Sequence, residues 1–149
     1  MASRTGRPLT RPSAFWDTSA LIPLYVREEN TAQASGWYKE YEVVIWWGTP
    51  VEIAGALARL LRIKSLDTGQ WREAVESIAE EAEMWSVVEP SDELRAHAIE
   101  IVKRYDLRAG DALQLAAALE WCDEVPGGRR FLTADERLRN AAVLCGFDA

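Results

Sequence analysis

At 149 residues, 48% of them hydrophobic and with a formal net charge of −7, the chain fits one domain able to bury a core without disulfides or a structural metal. Residues 1–13 hold three arginines and no acid, so removing their +3 from the −7 total leaves −10 on residues 14–149. A body that acidic excludes nucleic-acid binding through a broad basic field: a divalent cation or a local arginine cluster would have to supply positive charge, unless the charge serves only solubility.

Cys122 and Cys145 lie far apart without CxxC or Cys/His spacing, which reads as two small buried hydrophobes in a reducing cytoplasm. No apolar leader and no membrane-length run occurs, so the expectation is a protein without membrane attachment. Residues 1–13, with Gly6, Pro8 and Pro12 among polar residues, read as a flexible basic tail ahead of a single domain over 14–149.

In chain order, Ala14 to Trp16 predicts a short strand that delivers Asp17 to its C-terminal end, where Thr18 to Tyr25 opens a helix. In open α/β sheets ligands bind at that edge, in the crevice between strand tips and helix starts. A second helix over Thr31 to Tyr41 and a strand over Val43 to Trp47 follow, and the intervening helices permit the two strands to be parallel. On the second helix Trp37 and Tyr41 share one side, while Tyr38 is expected nearer the rim. Thr49-Pro50-Val51-Glu52 has the pattern of a capping box, with proline at the first helical position, opening a helix to about Lys64 with Ile53, Leu57, Leu60 and Leu61 as its apolar stripe. Capping alone accounts for Glu52 in that reading. Asp67 starts a long helix with Trp71, Val75, Ile78, Ala82 and Trp85 on one side and a solvated run of glutamates on the rest; Val87 and Val88 form a short strand.

Leu94, Ala98, Ile101, Val102 and Tyr105 recur at helical spacing from Ser91 to Tyr105, and His97, the one histidine, lies off that stripe. This leaves no histidine for a Ser/His or Cys/His catalytic arrangement. Leu107 to Leu119 predicts a deeply buried helix carrying Asp111 in its first turn, where the macrodipole stabilises it with or without function. After the turn at Val125 to Gly128, Arg130 to Thr133 predicts a strand. Thr133-Ala134-Asp135-Glu136 repeats the capping-box pattern, and the last helix stops at Gly146, leaving a final edge strand short or missing. Each acid thus has an ordinary explanation. Together, Asp17, Glu52 and Asp135 each follow a predicted strand and so share one edge of a parallel sheet, whereas a helix precedes Asp111 and the topology does not place it there.

Four segments in this order resemble the PIN-domain nucleases, and among them the VapC toxins of toxin–antitoxin pairs: Phe15 to Leu21, Thr49 to Glu52, Arg108 to Ala116, and Phe131 to Leu138. The resemblance implies a three-layer α/β/α fold with a central parallel sheet. It also implies a cluster of Asp17, Glu52, Asp111 and Asp135 that binds Mg²⁺ or Mn²⁺ and cuts single-stranded or looped RNA, and it supplies the placement of Asp111. Three features depart from the family: Trp46-Trp47-Gly48 stands where small hydroxyl residues are common, the terminal strand is cut short, and the segment before Ala14 is long.

On that reading a hard cation relieves the repulsion among the carboxylates, with Mg²⁺ keeping several waters and taking one or two carboxylates directly. Thr18, Ser19 and Thr133 are candidates to orient the acids or their waters, with helix capping the competing role for each, and Arg108, Arg129 or Arg130 to hold the RNA backbone. An aspartyl phosphotransferase would want a second Asp two residues after Asp17, and Ser19 stands there. A non-catalytic interaction module of the same fold and a housekeeping RNA-processing nuclease remain as alternatives. Seven tryptophans and the stripe from Trp71 to Trp85 predict a homodimer, and a groove beside the helices for an amphipathic segment of an antitoxin.

Overall fold

The structure is a computed structural model that describes residues 11–149. Its elements run β1 (Ser13–Trp16), α1 (Thr18–Tyr25), α2 (Thr31–Glu40), β2 (Glu42–Trp46), α3 (Thr49–Arg62), α4 (Thr68–Ala82), β3 (Ser86–Val88), α5 (Asp92–Arg104), α6 (Ala109–Trp121), β4 (Arg130–Leu132) and α7 (Glu136–Cys145). The strands form one parallel sheet in the order β3-β2-β1-β4, with Phe15 opposite Val44 on one side and Phe131 on the other. All strand C-termini therefore share an edge, as the sequence predicts.

Alternation along each strand divides the core into two halves. Phe15, Val44, Trp46 and Phe131 face a layer made by α5, α6 and α7, while Ala14, Trp16, Val43, Ile45 and Leu132 face α1, α3 and α4. The sheet is thus sandwiched between helices, the three-layer α/β/α arrangement expected. Burying side chains such as Phe15, Trp16 and Leu115 contributes ~1.5–3 kcal/mol each, which is how such short strands are held. The expected fifth strand shrinks to a single parallel bridge between Arg130 and Asp148, with Phe147 packed on Phe131 at 5.5 Å. Among the described residues no helix is long and apolar enough to cross a membrane.

Several local expectations change. Residues 1–10 of the expected tail lie outside the described residues; Arg11 pairs with Glu42 at 3.0 Å, and Ser13 already belongs to β1. Helix α4 is opened by a reciprocal cap between Asp67 and Gln70 but ends at Ala82, where a tightened turn hands Trp85 to the core. On its stripe Val75 is 40% exposed, and on α5 Val102 is 44% exposed, because only one narrow side of each helix touches its neighbours. Tyr38 packs edge-on against Trp16 at 6.2 Å, as does Trp37 at 6.3 Å; both are half-buried, and Tyr38 also lines an open cavity beside α1 and α4. Cys122 is buried, Cys145 partly so, and both are free. His97 is half-buried, with Nδ1 3.3 Å from a Glu124 carboxylate oxygen.

Candidate active site

Asp17 follows β1 directly and caps α1. Its Oδ2 accepts from the Ser19 amide at 3.3 Å, from the Ser19 hydroxyl, and from the Thr133 hydroxyl at 2.9 Å. The Ser19 Oγ in turn accepts from the Ala134 amide at 2.9 Å, so the tips of β1 and β4 are tied through Ser19 and Thr133. Thr133 is not a helix cap. It is buried and accepts from the Asp135 amide at 3.0 Å, while Asp135 itself caps α7 by accepting from Leu138 N at 3.0 Å. The capping box expected from Thr133 is replaced by an Asp cap two residues on.

The box expected at Thr49 is absent as well. Gly48 takes the N-cap position without a side-chain bond, and a Cβ there would lie 2.5 Å from the Trp46 indole nitrogen, so the close approach of that ring requires glycine. Thr49 then falls on the first helical residue and is fully buried. Freed from capping, Glu52 accepts through Oε2 from the Thr18 hydroxyl and from Gln114 Nε2, the latter at 2.7 Å. Its Oε1 lies 3.1 Å from where a Cβ on Gly110 would be, which places Glu52 against the first turn of α6, where Asp111 stands.

Electrostatics show the same convergence. Burial raises the Asp17 carboxyl to about 6; the hydrogen bonds from Ser19 and Thr133 oppose the rise, and the charges of Glu52 and Asp111 add to it. Asp111 is raised too, first by burial, then by the charges of Asp135 and Glu52, with Arg108 opposing. The packing of α6 beneath the sheet edge therefore brings in the one acid that the strand order leaves unplaced. Arg108, Asp111, Asp135, Glu136 and Arg137 line an open cavity of about 380 Å³.

Not every residue expected at the site is there. Arg130 opens β4 at its N-terminal end, pairs with Asp148 at 3.5 Å and lies over Tyr41; Arg129 lies over Trp121 at 5.0 Å. Both stand at the end of β4 opposite Thr133. At the acidic edge the register places Trp46 beside Asp17 and Trp47 one residue beyond, and Trp47 is 55% exposed, so the rim does carry a bulky aromatic. Gln114, Glu136 and Arg137 join the site without belonging to the expected set. The signal for Gln114 is a lone polar residue in an otherwise apolar helix, three positions after Asp111.

Among the described residues no three carboxylate, imidazole or thiol groups stand close enough to enclose a metal ion. The donors on hand are all oxygens, and their charges are mutually unfavourable. Both properties fit a hard, partly hydrated cation that takes one or two carboxylates directly and reaches the others through water.

The PIN-domain family model matches residues 14–144, and the chain belongs to the PIN-domain family, whose members are typically nucleases that use a divalent metal. Among solved structures it is similar to VapC20 of Mycobacterium tuberculosis, a toxin that cleaves the sarcin–ricin loop, with a TM-score of 0.63 and 18% identity over 87% of this chain and 95% of that one. No curated protein matches in sequence.

Proposed function

We propose that the chain is a Mg²⁺- or Mn²⁺-dependent endoribonuclease that hydrolyses RNA phosphodiester bonds, acting in the cytoplasm as the toxin of a toxin–antitoxin pair. The observation that carries this reading is the electrostatic coupling of Asp17, Glu52, Asp111 and Asp135 at one sheet edge, with Asp17 and Asp111 raised above the usual carboxylate range. Clustered acids of this kind are costly in a protein that does not use them.

Asp17, Glu52, Asp111 and Asp135 would hold the cation. When bound, it supplies an activated water and neutralises charge on the scissile phosphate. The chain's own residues do the rest. Ser19 and Thr133 keep Asp17 Oδ2 occupied, so that Oδ1 is the oxygen left for the cleft. Arg108, at the start of α6 and lining the cavity with Asp111 and Asp135, is placed to hold a flanking phosphate. The exposed face of Trp47 offers an unpaired base a stacking surface at the same edge. This local recognition answers the net acidity of the chain.

The test is cleavage of single-stranded and looped RNA by the purified chain. Cuts that appear with Mg²⁺ or Mn²⁺ and vanish with chelator are expected; no cleavage at any metal concentration would turn the reading toward a non-catalytic interaction module.

For partners, a cavity of about 570 Å³ between α1, α2 and α4, lined among others by Leu24, Tyr25, Tyr38, Leu66 and Ala74, suits an amphipathic antitoxin segment. Inhibition would follow from blocking the cleft or from an arginine paired with its carboxylates. A homodimer completes the reading, with exposed Val143 and Leu144 on α7 and Met84 after α4 as apolar surface available to it. Light scattering over a concentration series is expected to give twice the chain mass. A strict monomer at high micromolar concentration would remove the dimer from the reading.

A further inference from the structure

We propose that Gln114 is a positioning residue that fixes the orientation of Glu52, a role that rests on the nuclease reading for its consequence but on geometry for its existence. Helix α6 is otherwise apolar where it is buried: Ala112 and Leu115 to Leu119 are all in the core, and Gln114 among them is 0% exposed. An uncharged amide in such surroundings is costly unless its hydrogen bonds are made. Gln114 makes only half of them. Its Nε2 lies 2.7 Å from Glu52 Oε2, 3.2 Å from Thr49 Oγ1 and 3.3 Å from Thr18 Oγ1, while its Oε1 has no partner.

The orphaned carbonyl is informative. Turning the amide over would give that oxygen a hydroxyl donor in Thr49, since the Thr18 proton already goes to Glu52 Oε2, but would aim it at the Glu52 carboxylate. The charged acceptor decides the orientation, since a hydrogen bond to a carboxylate is about twice as strong as one between neutral groups. An amide kept for packing alone would not leave its carbonyl without a partner in so apolar a setting. The amide is thus arranged to serve Glu52.

Its position adds a second consequence. Asp111 and Gln114 are three residues apart on α6 and so share a face. One rigid helix therefore carries one acid and also the donor that orients another, Gln114 and Thr18 gripping Oε2 while Gly110 leaves room for Oε1. The Glu52 carboxylate on α3 is thus oriented from the same helix that carries Asp111.

The experiment has two arms. Gln114→Leu keeps the volume and removes both the donor and the orphaned carbonyl. Losing the unpaired carbonyl offsets the bond that buried Thr49 loses, so the variant is expected to melt within about 2–4 °C of the wild type. Its kcat for RNA cleavage should fall ~10–100-fold with KM changed less than about threefold, the loss typical of removing a group that orients a metal-binding side chain. A parallel fall of kcat and melting temperature, or an unchanged kcat, overturns the proposal. The second arm needs no activity. In NMR spectra of the full chain, the Gln114 side-chain amide should exchange slowly and shift when Glu52→Gln removes the carboxylate; an amide indifferent to Glu52→Gln overturns it as well. Should the wild type fail to cleave RNA, the nuclease reading falls, and the amide response alone decides whether Gln114 orients Glu52.

Discussion

Asp17→Asn is expected to melt higher than the wild type when metal-free at neutral pH, to lose most of the stabilisation that Mg²⁺ or Mn²⁺ gives, and to lose RNA cleavage. The first effect follows from burial. Asp17 is 4% exposed and its carboxyl is raised to about 6, by desolvation first and by Glu52 and Asp111 after it. A folded-state pKa above the unfolded value of ~3.9 means that the native chain holds the proton more tightly than the unfolded one. The associated stability is fully present below pH ~4 and is lost as pH rises through 6, a change on the order of 3 kcal/mol at one pKa unit per ~1.4 kcal/mol.

Asparagine escapes that loss because it carries no charge. It also keeps the cap: the bonds from Ser19 N, Ser19 Oγ and Thr133 all arrive on Oδ2, and a single amide oxygen can take that place. Metal reverses the comparison. A cation bound to the native state stabilises it by mass action, and the amide nitrogen that replaces Oδ1 in the variant offers it no ligand. Melting curves from pH 4 to 8, in chelator and then in Mn²⁺, check both halves. A variant less stable than the wild type in chelator at pH ~7.5, or one with an unchanged metal response, would remove Asp17 from the site.

The parts of the site that could be read in the sequence are those that local patterns control. A strand, an acid and a helix in immediate succession place Asp17, and the same succession places Glu52 and Asp135 at the same edge. The capping pattern was less informative. Ser/Thr followed by Glu three residues later does not distinguish an N-cap from a first helical residue, and at Thr49 and Thr133 the structure chooses other caps because both hydroxyls are buried in tertiary bonds. Asp111 could not be located from periodicity, since its position depends on how α6 crosses beneath the sheet. Strand direction would have argued against Arg129 and Arg130, which precede β4 and open it, at the end away from the acids. Gln114 was hidden by its own helix propensity: in an Ala- and Leu-rich segment it passes for a helix former, and only the full burial of its surroundings shows that it must have partners.

Glu52→Gln is the second large effect, and it separates function from helix stability. Glu52 caps nothing: α3 begins after Gly48 without a side-chain bond, and the carboxylate is turned toward Thr18 and Gln114. A glutamine oxygen can accept from both of those donors. The change forfeits a first-turn interaction with the helix dipole of ~0.3–1 kcal/mol. It also relieves the repulsion that Glu52 exerts on Asp17 and Asp111, and the two effects oppose each other. For a domain of this size ~1 kcal/mol moves the melting temperature by only about 2–4 °C, so the variant should melt close to the wild type in chelator. Cleavage should nevertheless fall at least ~100-fold, because losing even a group that orients a metal ligand costs ~10–100-fold and Glu52 is placed as the ligand itself. Single-turnover cleavage and thermal denaturation on the same preparation make the comparison. A variant that loses stability in proportion to activity would return Glu52 to an ordinary structural role at the start of α3.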